Sequence, residues 1–216
     1  MDNVNIKHLR TLALFGVLGG VLMLIGDFLF FLTPWVSGTE FQSMPAMHAM
    51  SNERLIWGAV AGPFSGIFYA LGSCLFYVAL KPHNKILAAL ISIGFIVLWI
   101  LAGAFHSIYA VVGFVGAHDL GQVVPFVQAL IATMGKIAFV LGTAASVLFI
   151  YMVLRHKTVF PKWIILFVPT FLTLLKGPLT PLVPAPLGSI IIGGWPNWCF
   201  VGFFLLLAFI WRRGAV

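Results

Sequence analysis

The sequence predicts an all-α membrane protein: six transmembrane helices in a single domain over residues 1–216, both termini cytoplasmic, and a fifth helix broken by Gly and Pro. Three observations carry this prediction. The chain is 62% apolar and only 8% charged, with a mean hydropathy of +1.11, whereas soluble domains are about a quarter charged. Six apolar runs, at about 11–33, 55–80, 86–112, 129–154, 162–182 and 195–212, meet or approach the roughly 20 residues that a helix needs to cross the hydrocarbon core. The basic residues then fall on one side of those runs. The runs are too continuously apolar for outer-membrane strands, which alternate over about ten residues.

The first run follows Lys7, His8 and Arg10, as a signal peptide would. It continues to Thr33 with no small-x-small pattern before Pro34, so it is expected to remain as an anchor. The second carries Gly58, Gly62 and Gly66 at four-residue spacing, which gives a smooth face for close packing, and Pro63, which is expected to kink it. Gly16 and Gly20 form a similar stripe on the first helix. Such stripes serve either packing inside the bundle or a homo-oligomer interface. The third run contains Trp99 and His106, and the fourth Lys136 near its outer end. The fifth meets Lys176-Gly-Pro178, then Pro181, Pro184 and Pro186, which must interrupt or end it. Cys74 and Cys199 fall toward opposite faces of the bilayer and are not expected to pair.

Nine of the twelve Lys and Arg residues (Lys7, Arg10, Lys81, Lys85, Arg155, Lys157, Lys162, Arg212 and Arg213) occupy the N-terminus, alternate loops and the C-terminus. The positive-inside rule makes that side cytoplasmic. The opposite loops carry Glu40, Glu53 and Asp119, with Arg54 as their clear cation. The net charge of +7 follows from topology, and no nucleic-acid partner is expected. Trp35, Trp57, Trp163, Trp195, Trp198 and Trp211 lie near predicted helix ends, where indole rings favour the headgroup region.

Removing the topological charges leaves Asp27, His106, Lys136 and Lys176 within apolar runs. A carboxylate at such a position costs at least about 2.5 kcal/mol on the lenient insertion scale, so something must compensate it. Asp27 shares a helical stripe with Gly16, Gly20, Met23 and Pro34, and His106 lies among Ala102, Gly103, Tyr109, Ala110 and Gly113. Both are expected to point inward. At about 1.5 Å per residue both lie roughly 7–11 Å from the centre on the extracytoplasmic side, a common depth at which a proton can be exchanged. The chemical reading makes Asp27 and His106 an acid/base or proton-coupling pair. The plain reading makes them hydrogen bonds that lock helices. Lys136 can snorkel to the headgroups. Lys176 is expected near the broken fifth helix, where it either neutralises Asp27 or binds an anionic headgroup.

A second constellation is Met44, Met47, His48 and Met50 in the first outer loop. Thioether and imidazole suit Cu(I), while the same Met spacing suits one apolar face of a short interfacial helix. A zinc centre from Asp27, His48, His106 and His118 would need three separate segments and has no short-range ligand spacing. No metal is therefore assigned, and no cofactor is implied. Ser65 could face Asp27 and His106, but its depth disfavours a Ser-His-Asp triad. The chain has no P-loop, dinucleotide glycine fingerprint, Gly-x-Ser-x-Gly elbow or His-Glu-x-x-His pair.

The segments Gly26-Asp-Phe-Leu-Phe-Phe31, Arg54-Leu-Ile-Trp-Gly58 through Gly62-Pro-Phe-Ser-Gly66, and Ala102-Gly-Ala-Phe-His-Ser107 resemble those of small uncharacterised bacterial multi-pass inner-membrane proteins. That resemblance spans roughly the first half and implies a bacterial inner-membrane setting without a known reaction. The ceramidase-like hydrolases differ, because they use seven helices and three zinc-binding histidines. The expected site is a polar pocket in the extracytoplasmic half that takes a small amphipathic or lipid-like molecule. Asp27 and His106 would carry its chemistry, with Glu53, Arg54, Tyr109 and Lys176 as ligand contacts and membrane lipids as partners. A proton-coupled transporter and a structural subunit are the rival classes.

Overall fold

The computed structural model describes residues 5–32, 43–117, 122–184 and 186–213, and everything regular in them is helical. Glu40, Asp119, His118, Pro34 and Trp35, and the side chain of Met44, lie outside what is described.

Helix α1 (Ile6–Phe31) starts where the Asn5 side chain accepts the His8 N–H at 3.2 Å, satisfying one of the free donors of the first turn. Its buried face includes Gly16, Gly20, Met23 and Asp27, the stripe that the spacing marks out. A short helix α2 (Ser43–His48) packs on α4 and α1. Helix α3 (Asn52–Leu80) is capped by the Ser51 hydroxyl, which accepts the Arg54 N–H at 3.4 Å, and Glu53 lies in its first turn, where a negative charge suits the helix dipole. Helices α4 (Lys85–Ala117) and α5 (Val124–Arg155) follow. Both run several residues beyond the apolar stretches that predict them.

The stretch Lys162–Leu182 is a string of short pieces: a 3-10 turn (Lys162–Phe167), α6 (Pro169–Leu172), a 3-10 turn (Thr173–Leu175), α7 (Lys176–Leu179) and a last 3-10 turn (Thr180–Leu182). The sharpest break is not at Lys176-Gly-Pro178, where the sequence suggests it. Lys176 keeps helical angles (φ −52°, ψ −50°), whereas Val168 is extended (φ −61°, ψ 116°) because it precedes Pro169, whose ring crowds a helical neighbour. Carbonyls left over by the breaks find donors elsewhere, since the Trp195 indole N–H binds the Leu172 carbonyl at 3.0 Å. The Ser146 hydroxyl meets that of Thr170 at 2.8 Å, tying α5 to α6.

A short helix α8 (Leu187–Ile191) leads to α9 (Trp195–Ile210). Five segments are long and apolar enough to cross a membrane, while α9 is apolar but only 16 residues long. Around the bundle the neighbours run α1, α3, α4, α5, α6 and α9, and α9 returns to α1. One half of this ring is filled by aromatic side chains, with Phe76 stacked on Phe95 at 4.8 Å and Phe149 edge-on to Phe160 at 5.0 Å. The other half is hollow.

Glycine explains how α1, α3 and α4 come so close. A methyl group on Gly62 would lie 2.7 Å from the His106 Cβ and 2.8 Å from the Gly103 carbonyl, and one on Gly58 would meet the Phe30 ring. Gly16 and Gly20 face Phe204 and Val201 of α9. The glycine stripes are thus occupied within the chain. Cys74 and Cys199 are free thiols.

Candidate functional site

The hollow half contains a cavity of about 370 Å³. Its walls come from α1 (Met23, Asp27, Phe31), α4 (Trp99, Ala102, Phe105, His106, Tyr109), α5 (Met134, Gly135, Ala138, Phe139), the broken stretch (Thr170, Thr173, Lys176) and α9 (Pro196, Asn197, Phe200). Most of the lining is apolar, so the polar groups form a local patch on an oily wall.

That patch is ordered by one proline. Pro63 has no N–H to give the Ala59 carbonyl one turn earlier, which opens the backbone of α3 at this level. Two successive residues of α4 pack here, one of them on the carbonyl that Pro63 leaves free. The Ser107 hydroxyl donates to the Ala59 carbonyl at 2.9 Å, and His106 Nδ1 lies 3.0 Å from the Gly58 carbonyl. A carbonyl can only accept, so Nδ1 carries a hydrogen. The seat for the ring is cut by Gly26, where a Cβ would stand 2.7 Å from His106 Cε1, and Phe30 stacks on the ring at 4.5 Å.

The other ring nitrogen, Nε2, faces Asp27 Oδ1 at 3.3 Å, and both residues are only 5% exposed. With Nδ1 protonated, a neutral ring offers a lone pair at Nε2, and an ionised carboxylate offers only lone pairs. Two acceptors cannot face each other in a dry interior without cost, so the contact requires a proton between them. The pair therefore holds one proton, as Asp27–H beside a neutral imidazole or as a carboxylate beside an imidazolium. Either form has no net charge.

Asn197 completes the carboxyl's coordination, its amide N–H donating to Asp27 Oδ2 at 2.7 Å, and the Tyr69 hydroxyl meets Asn197 Oδ1 at 3.3 Å. Tyr69 is fully buried and lies flat on Trp99, with ring centroids 3.7 Å apart. Donation runs from Tyr69 through Asn197 to Asp27, and from His106 to Gly58. Such a fully partnered buried network holds its members in one geometry.

The other expected residues divide. Tyr109 and Lys176 line the cavity, while Glu53 and Arg54 do not. Glu53 is exposed, and Arg54 caps the end of α1 instead, its guanidinium donating to the Phe28 and Leu32 carbonyls at 2.9 Å each. Lys176 makes no ion pair with Asp27, since the ion pair found among the described residues is Asp27 with His106. Ser65 is turned away, donating to the Gly19 carbonyl at 2.7 Å, so it is no part of a triad. Lys136 is exposed. Met47 and Met50 are buried against Phe30, Leu55 and Val112 as apolar filler, and His48 is exposed. Among the described residues no group of three or more His, Cys, Asp or Glu side chains is placed to hold a metal ion.

Asn197 and Tyr69 escape a reading based on charge, because neither is ionised near neutrality. Asn197 carries a weak signal, an amide just inside an apolar helix after Trp195-Pro196. Tyr69 carries none.

A family model described as a family of unknown function, DUF6796, matches residues 1–214. The chain belongs to that family. A DUF6796 protein thus brings no reaction by inheritance, and no curated protein or solved structure matches this one.

Proposed function

We propose that this DUF6796 protein is a six-span bacterial inner-membrane protein, with both termini cytoplasmic, that binds a small amphipathic or lipid-like molecule in the extracytoplasmic half. Asp27 and His106 act on that molecule as an acid/base pair. The observation that carries the reading is the proton-sharing pair set into the wall of a mostly apolar cavity. Intramembrane ionisable residues facing a cavity mark functional sites by default, and apolar pockets with few convergent polar groups suit amphipathic ligands. Tyr109 and Lys176 border the ligand, and α9, continued by the turn at Trp211–Arg213, supplies the sixth span in a locally thinned or snorkelled arrangement.

The test is a density map of the full chain in nanodiscs made from the host membrane. The reading expects elongated density in the cavity beside Asp27 and His106. Side chains closing the cavity, or Asp27 turned to lipid, would overturn it.

The shared proton also favours a second reading, proton-coupled transport. Replacing Asp27 by Asn separates the two: an enzyme keeps ligand binding and loses turnover, while a transporter loses pH-driven uptake and keeps counterflow.

A further inference from the structure

The cavity contains three strongly ionisable side chains, Asp27, His106 and Lys176, together with the phenol of Tyr109. The hydrogen bond from His106 Nδ1 to Gly58 requires one proton between Nε2 and Asp27, so the pair contributes no net charge. Asp27 is engaged with His106 and makes no direct ion pair with Lys176. Among the described residues no carboxylate forms an ion pair with that ammonium, and the cavity as built has one cation without a counter-ion. A charge on an apolar wall is costly unless a partner arrives.

We infer that the occupant is an amphiphile with one anionic head, a carboxylate or phosphate, held at Lys176 while its apolar part lies along the apolar wall. This rests on the reading that the cavity binds an amphiphile, and it adds the sign of the head. The side of the cavity open to that part is the gap between α5 and the broken stretch. From Val124 to Leu141 Val127 alone is buried, and from 171 to 184 no residue is buried. Gly135 on one lip and Gly177 on the other have nothing within 4 Å of where a Cβ would stand. An amphiphile can enter there sideways from the membrane, with its head arriving at Lys176 close to the Asp27–His106 pair.

The experiment measures binding to the full chain in phosphatidylcholine nanodiscs, with empty discs subtracted. The probes are dodecyl phosphate, dodecanoate, dodecanol, dodecyltrimethylammonium and inorganic phosphate. The two anionic amphiphiles should bind about tenfold or more tighter than dodecanol, as a charge-assisted contact provides, and the cationic one should not compete. Lys176→Gln should erase the preference and Lys176→Arg should keep it. Equal binding of dodecanol and dodecyl phosphate would overturn the inference while leaving the amphiphile reading intact. Binding of none of the chain-bearing probes would overturn both. Inorganic phosphate binding as tightly as dodecyl phosphate would mean that the site takes a free anion, which also overturns the inference.

Discussion

The two sides of the cavity are built in opposite ways. On the α1–α3–α4 side, glycines bring backbones into contact, a proline frees one carbonyl that Ser107 takes up, and the polar groups of the patch are partnered. On the side of α5 and the broken stretch, short turns replace a continuous helix and the facing surfaces are mostly exposed. The tight side holds the polar patch in one geometry, and the loose side leaves the cavity wall uncovered.

The largest effect that can break this contrast is removal of the carboxyl. Asp27→Ala strips a partner from a buried pair and should cost about 3–5 kcal/mol, read as a loss of thermal stability in detergent. Asp27→Asn should cost less than about 1 kcal/mol, because its amide can donate to His106 Nε2 while its oxygen accepts from Asn197. The two variants together separate packing from proton chemistry. Equal losses would argue against the shared proton.

Overpacking comes next. Gly62→Ala places a methyl group against His106 and the Gly103 carbonyl and should destabilise by about 1–3 kcal/mol. On the loose side Gly135→Ala meets nothing and should stabilise α5 by about 0.5–1 kcal/mol through helix propensity. A matched loss at both glycines would erase the difference between the sides.

Ser107→Ala should cost about 1 kcal/mol or somewhat more, since it abandons the carbonyl that Pro63 leaves free. In a Pro63→Ala background the restored backbone N–H serves that carbonyl, and the penalty should shrink. A double-mutant cycle measures the coupling. Additive losses would mean that Ser107 answers to something other than the proline.

The smallest effect lies at the far end of the bundle, in the turn between α3 and α4. There partial burial, and then the neighbouring His156 ring 5.5 Å away, lower the His83 pKa. A depressed histidine is protonated more readily in the unfolded chain, so stability is full above about pH 6.5 and declines as pH falls toward the folded value. His156→Asn should reduce that decline without touching the cavity.

The sequence announces Asp27 and His106 because ionisable groups are rare in apolar helices, and helical spacing makes them face protein. Charge alone misleads at Arg54, which caps α1, since its two carbonyl acceptors lie 22 and 26 residues away in sequence. It is silent on Asn197 and Tyr69, whose roles depend on which helix is placed beside Asp27. The break at Val168 is locally encoded by Pro169, but Lys176-Gly-Pro178 offers a louder signal and draws attention away from it. The spans themselves are legible from hydropathy, apart from α9, where the described helix is shorter than the apolar run suggests.

The most direct measurement is ring nitrogen NMR of the full chain with ¹⁵N-labelled histidine, the His106 signals assigned by their loss in His106→Gln. The shared-proton account predicts a protonated Nδ1 at neutral pH, and in Asp27→Asn a protonated Nδ1 with a bare Nε2. A neutral His106 protonated at Nε2 and bare at Nδ1 would contradict it.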